Sequence, residues 1–366
     1  MQLKTRFMQT AIASLTALLL VAAGASGQDA TTGTMAEFQW LPFPDRAKFK
    51  VLGIHWFDES DPRLWRMPAK EMDSLPKGVQ NRSKCPSGGR IVIRCTTTRL
   101  ALRSVAVGGG LKTFDAYVNG QLCKPATSQK AGAETELVLF QGADDREKEI
   151  VIYLPHLQEV IVKAIGVDWK TRFSTPEHPF ARPLPVVFYG SSVCQGSGAV
   201  HPGQTYGAVL CRDLNLDFVN LGFGGAGKAE TNVVALVNSI PASCYVLDLG
   251  KSYGAQDATA FKAMLQTLRR SHPDTPIIAI TPITSAKEVK EPSYSVRSIH
   301  TRAVMREPVK EMIQAGDKRL FLVQGEELLG FKEHDALSKD GVHPSDQGYG
   351  IIAAKLAPVL KRALGL

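Results

Sequence analysis

The chain has 366 residues, 44% of them hydrophobic and 21% charged, and carries a formal net charge of +8. That composition excludes a disordered chain, which lacks the apolar surface needed to offset ordering entropy. The basic residues form no dense Lys/Arg tract, which argues against a nucleic-acid role and leaves attraction to acidic glycans open.

Residues 1–27 come first. Lys4 and Arg6 precede the apolar run AIASLTALLLVAA, and Ala25, Ser26 and Gly27 follow it. This order is that of a cleaved secretory signal peptide. The rival reading, an uncleaved anchor, is weakened by a run that is short for a bilayer. The expectation is a secreted or periplasmic protein of net charge +6, with no membrane span after cleavage. Export permits disulfides. Cys85 and Cys95 could bridge neighbouring strands, whereas Cys211 and Cys244 sit in patterns that suit buried thiols.

Residues 28–173 read as an all-β domain. The segment HWFDESDPRLWRMP is aromatic and irregular and is taken as a covering loop. Trp40, Trp56 and Trp65 could stack on sugars, although packing is the commoner use of such rings. From Arg90 to Asp168 the runs RIVIRC, RLALRSVAV, FDAYVNG, TELVLFQG, KEIVIYLP and EVIVKAIGVD alternate apolar and polar residues between turn residues. That rhythm predicts an antiparallel sandwich, with Asn119-Gly120 as a hairpin turn. STPEHPFARPLP, residues 174–185, holds four prolines and predicts a semi-rigid linker.

From residue 186 to 366 the rhythm changes. Apolar strands PVVFYG, DFVNLGF, CYVLDLG, PIIAITP and RLFLV alternate with amphipathic helical patterns. Such alternation predicts an α/β domain whose parallel sheet is covered on both faces. Pro308 is expected to break or kink the helix that contains it. Ligands of these folds bind at the carboxyl ends of the strands. Ser192, Gly225 and Ser252 each follow one of these strands.

YGSSVCQG and DGVHPSDQGYG supply the chemistry for acyl transfer to water. Ser192 is the candidate nucleophile, His343 the base, and Asp340, three residues earlier, the group that orients the imidazole. Each has an ordinary reading alone: a serine in a loop or cap, a capping Asp, a surface His. Ser191 is the competing nucleophile. The order Ser…Asp-x-x-His differs from that of chymotrypsin-like, subtilisin-like and α/β-hydrolase triads. GFGGAGKAE nearly spells a phosphate loop, but Ala229 stands where Ser or Thr must reach Mg²⁺. Its glycines better suit a backbone that closely approaches a reacting carbonyl, with the Gly225 N–H as an oxyanion donor. No cysteine or histidine spacing resembles a metal site, and no metal or organic cofactor is expected. His55, His201 and His334 are read as surface or loop residues.

At these residues the stretch from Pro185 to Leu366 resembles the SGNH, or GDSL-type, hydrolases. Their Gly-Asp-Ser-x-x-x-Gly block is matched by Gly190, Ser191, Ser192 and Gly196, with Ser191 in the Asp position. The second block's glycine falls on Gly225, and the Asp-x-x-His block on Asp340 and His343. YGSSVCQG, NLGFGGAGK and DGVHPSDQGY are similar to a bacterial two-domain subgroup. Its N-terminal, jelly-roll-like β-sandwich carries a Gly-x-Asp-Leu-Tyr motif, of which Thr113-Phe-Asp-Ala-Tyr117 is a degraded version. LWRMPAKEMDSLPKGV also looks like part of that module. The resemblance implies a three-layer, flavodoxin-like catalytic domain and a serine esterase acting on short acyl groups, foremost acetyl esters of carbohydrates. It implies an oxyanion hole formed by the N–H groups of Ser192 and Gly225 and by a third donor. That donor is normally an Asn side chain, and Ser252 takes its place, with Lys251 and Tyr253 beside it. Loss of such a donor costs on the order of a hundred- to a thousandfold in turnover. A glycan-binding pseudoenzyme is therefore the alternative.

Overall fold

The computed structural model describes residues 37–60, 63–109, 113–127 and 131–366. The signal-peptide reading lies outside them. Residues from Phe38 onward form one compact unit.

The strands and α-helices of the β-rich half run in the order β1 (Gln39–Pro42), β2 (Phe49–Leu52), α1 (Phe57–Ser60), α2 (Lys77–Ser83), β3 (Arg90–Cys95), β4 (Arg99–Val107), β5 (Thr113–Val118), β6 (Gln121–Thr127), β7 (Glu134–Gln141), β8 (Lys148–Tyr153), β9 (Glu159–Val167) and β10 (Phe173–Ser174). They make two antiparallel sheets, one ordered β1-β9-β4-β7 and one ordered β10-β3-β8-β5-β6 with β2 also on β3. Alternation explains the packing. Ile91 and Ile93 of β3, Leu100 and Leu102 of β4 and Ile150 and Ile152 of β8 share one buried core between the sheets. The hairpin turn forms at Asn119 and Gly120, both at positive φ.

The second half continues with β11 (Val186–Gly190), α3 (Ser192–Gln195), α4 (Tyr206–Asp213), β12 (Phe218–Gly222), α5 (Thr231–Asn238), β13 (Cys244–Asp248), α6 (Thr259–Ser271), β14 (Ile277–Ile280), α7 (Ala286–Lys290), α8 (Pro292–Gln314), β15 (Leu320–Val323), α9 (Gly325–Leu328) and α10 (Asp346–Leu364). Its five strands are parallel and ordered β12-β11-β13-β14-β15. Every residue of β11 and β13 is buried, as central strands covered on both faces require. One face packs on residues of α5, α6 and α8, such as Val233, Leu265 and Met305, and the other on α4 and α10, through Leu210 and Leu356. The three-layer α/β fold and the β-rich N-terminal half agree with the sequence reading.

Three expectations need correction. The segment HWFDESDPRLWRMP is not a mere cover: it contains α1, and Trp56, Phe57, Leu64 and Arg66 are buried. Periodicity missed it because α1 is too short to show a repeat. Helix α8 runs through Pro308 for 23 residues. Pro308 and its neighbours Met305 and Val309 are buried, and that packing offsets the missing backbone donor. Cys85 and Cys95 are both buried free thiols and do not bridge, as Cys85 follows α2 while Cys95 ends β3. The Pro-rich segment is tied to both halves, because His178 contacts Glu149 at 2.7 Å and Asn215 at 2.8 Å.

Candidate active site

Strand β11 ends at Gly190, where the backbone is tightly enclosed. A Cβ on Gly190 would lie 1.8 Å from the Asp248 carbonyl oxygen, so only glycine lets β11 pass β13 here. The next residue, Ser191, is buried, and its N–H donates to the Asp248 carbonyl at 2.9 Å. Ser192 opens α3, and its Oγ stands 2.9 Å from His343 Nε2. Of the two adjacent serines, the geometry therefore selects Ser192 as the partner of the imidazole.

His343 lies in the loop before α10. Its Nδ1 is 2.6 Å from Asp340 Oδ2, while Asp340 Oδ1 accepts from the His343 N–H at 2.9 Å, the Val342 N–H at 2.8 Å and the Ser338 hydroxyl at 2.9 Å. Partial burial raises the Asp340 carboxyl, but the His343 side chain and these donors outweigh it and hold the group well below the usual carboxylate range. Asp340 is thus ionised and aimed at one ring nitrogen, which leaves the other nitrogen to face Ser192.

The predicted oxyanion donors fall at one rim. Ser252 lies in a 3-10 turn, Gly250–Tyr253, and lines one small pocket with Ser192, His343, Asp248, Lys251 and Ile283. Gly225 sits in the turn after β12 with φ of +74°, exposed, one residue past Gly224, where a Cβ would come within 3.5 Å of Ser192 Cβ. The glycine-rich run also answers to packing: a Cβ on Gly222 would lie 2.3 Å from the Gln195 backbone nitrogen. Gln195 fixes this corner, as its Oε1 accepts from the Gly224 N–H at 2.7 Å and its Nε2 donates to the His156 carbonyl at 2.9 Å.

Sequence reasoning missed several supporting residues. Asp248 is buried in the pocket wall, and burial pushes its carboxyl up to about 7, against the lowering effect of the Tyr206 hydroxyl, which donates to it at 3.1 Å. His201 is not a mere surface residue. Its Nδ1 contacts Asp115 of β5 at 2.9 Å, and Asp115 also accepts from the Gly203 N–H at 2.9 Å. Asp115 and Tyr117 belong to the degraded motif, so that motif was the available signal, although pattern alone gave no partner. His334 Nε2 meets the Thr284 hydroxyl at 3.1 Å. Lys251 pairs with Glu288 at 2.7 Å. Trp56 is buried in the core, and the Trp65 indole donates to Glu159 at 2.8 Å, so packing and local bonding occupy both. Among the described residues, no group of three His, Cys, Asp or Glu is placed to hold a metal, and no helix is long and apolar enough to cross a membrane.

The model of the GDSL-like Lipase/Acylhydrolase family matches residues 184–361. A GDSL-like lipase from Bacteroides ovatus ATCC 8483 superposes with a TM-score of 0.79 at 24% identity, covering 90% of this chain and 98% of that one. The salicylyl-acyltransferase SsfX3 of a tetracycline biosynthetic pathway follows at 0.75 and 22%, with the same coverage. A family two carbohydrate esterase from Cellvibrio japonicus gives 0.61 at 14%, covering 89% of this chain and 98% of its own. At these identities the likenesses speak for the fold, which extends through both halves. Comparison with curated proteins finds no match. Strand-end serine, Asp-x-x-His loop and family match converge on residues 184–361, which form a GDSL-like lipase/acylhydrolase domain of the ester-hydrolase type.

Proposed function

We propose that the protein is an exported serine esterase that removes short acyl groups, acetyl foremost, from carbohydrates. Ser192 attacks the ester carbonyl as His343 takes its proton, and Asp340 stabilises the imidazolium that forms. The N–H groups of Ser192 and Gly225, with the Ser252 hydroxyl, receive the oxyanion. His343 then gives its proton to the departing sugar hydroxyl, and water repeats the sequence on the acyl-enzyme. The observation that carries this reading is the 2.9 Å approach of Ser192 Oγ to an imidazole whose other nitrogen is held by Asp340. The small pocket walled by Pro282, Ile283 and Val342 supports a short acyl group. The pattern of residues 1–27 supports export.

The test is acetate release from nitrophenyl acetate and from O-acetylated oligosaccharides. Ser192→Ala is expected to lower kcat by at least about a thousandfold. A wild type that turns over neither substrate but binds the oligosaccharide would favour the binding-only alternative. Equal rates in wild type and variant would remove Ser192 from the mechanism.

A further inference from the structure

Beside the Ser192 pocket, three cations gather around one ring. The Lys251 and Lys287 ammonium groups lie 5.5 and 5.8 Å from the Tyr294 ring centroid, and the Arg297 guanidinium lies 4.8 Å from it. Lys251 lines the pocket itself. The Ala286 N–H donates to the Gly341 carbonyl at 2.8 Å, which fastens the start of α7 to the loop that carries His343. The cluster thus flanks the mouth of the site.

Its charges are unevenly compensated. Buried Glu288 is shared between Lys251, at 2.7 Å, and Arg302, at 2.8 Å. Arg302 and Arg306 both reach Glu326. Glu291 adds an exposed carboxylate whose field reaches Tyr294. Lys287 and Arg297 are exposed, and neither has a carboxylate within ion-pair distance among the described residues. Three cations, Lys251, Lys287 and Arg297, therefore face two acidic groups, Glu288 and Glu291, around Tyr294, and Glu288 is shared with Arg302, on a surface next to a concave site, where field focusing is strongest.

We propose that this cluster is an acceptor subsite for a carboxylate, and that the preferred substrates are O-acylated glycans carrying uronate residues. The inference rests on the esterase reading of Ser192. The pocket interior at Ser192 is narrow and partly apolar, so it takes the acyl group, whereas Lys287 and Arg297 stand outside. The negative charge they recognise belongs to the part of the substrate that stays outside, which is the sugar. The flat guanidinium of Arg297 suits a carboxylate in two-point contact, and Tyr294 keeps the cations together.

The experiment compares kcat/KM on O-acetylated oligogalacturonate and on O-acetylated xylo-oligosaccharide of the same length, with nitrophenyl acetate as a neutral reference. Wild type is expected to prefer the uronate substrate by about fivefold or more at low salt, and to lose that preference near about 0.5 M salt. The double substitution Lys287→Gln, Arg297→Gln is expected to abolish the preference through KM and to leave nitrophenyl acetate turnover unchanged. Equal efficiency on the two glycans, or a preference that survives the double substitution, overturns the proposal. Turnover of nitrophenyl acetate that is lost in Ser192→Ala separates such a failure from a failure of the esterase reading. A wild type inert toward all three substrates overturns both.

Discussion

Two carboxylates near the site are driven in opposite directions, and the causes are how deeply each is buried and how many donors it meets. Asp340 accepts three N–H or O–H bonds besides its contact with the His343 ring, so its charged form is favoured. Asp248 is buried with the single Tyr206 hydroxyl, so its neutral form is favoured up to about 7. In the unfolded chain Asp248 titrates near 3.8, so the folded protein holds this proton more tightly. The stability it contributes is complete below that value and is lost as pH rises through about 7. Asp248→Asn keeps the neutral shape. Its Tm is expected to fall less than that of wild type as pH rises from about 4 to about 8. Parallel curves for the two proteins would show that Asp248 is ionised throughout.

At the scale of elements, the exposed side of the edge strand β12 is closed by arginines from the N-terminal half. Arg66 is 1% exposed and donates to the carbonyls of Asn220 at 2.8 Å and Gly222 at 2.7 Å, as well as those of Cys85 and Arg82 at 2.6 Å. Its guanidinium lies 4.8 Å from the Phe223 ring centroid. Arg90 does the same lower down, reaching Asp217 at 2.6 Å and the Phe218 carbonyl at 2.9 Å. An uncovered edge strand invites pairing with other chains, and these contacts prevent it. Arg66→Met would leave three buried carbonyls and the partly buried one of Arg82 without this donor. The expected loss is about 3 kcal/mol of unfolding free energy, read from the midpoint of urea unfolding. Arg66→Lys, which can satisfy fewer carbonyls, should fall between.

Across the whole molecule, the β-rich half helps to build the site. Tyr117 and Tyr153 enter the core under α4 and α10, while Trp56, Met67 and Val79 enter the opposite one. Asp115 holds His201 and Gly203, and the preceding residues press on the loop that carries His343: a Cβ on Gly198 would lie 2.9 Å from His343 Cβ. Asp346, just past that loop, accepts from the Val200 N–H at 2.9 Å. Asp115→Asn should loosen this support. The expected result is a fall in kcat of about tenfold with KM nearly unchanged, because the loop placing His343 is affected more than the substrate surface. A change confined to KM would assign Asp115 to substrate binding instead.

The sequence by itself determined the parallel sheet, the strand-end serine and the Asp-x-x-His loop. Each is written locally: in apolar strands such as VVFYG, in a turn that only glycine permits at Gly190, and in an aspartate three residues from its histidine. It also showed most antiparallel strands, because alternation is a property of short stretches. The burial of Arg66, the partner of His201 and the raised carboxyl of Asp248 were decided only by the tertiary structure. All three depend on groups distant in the chain and on the exclusion of water between them, and neither is encoded in the pattern of any one segment.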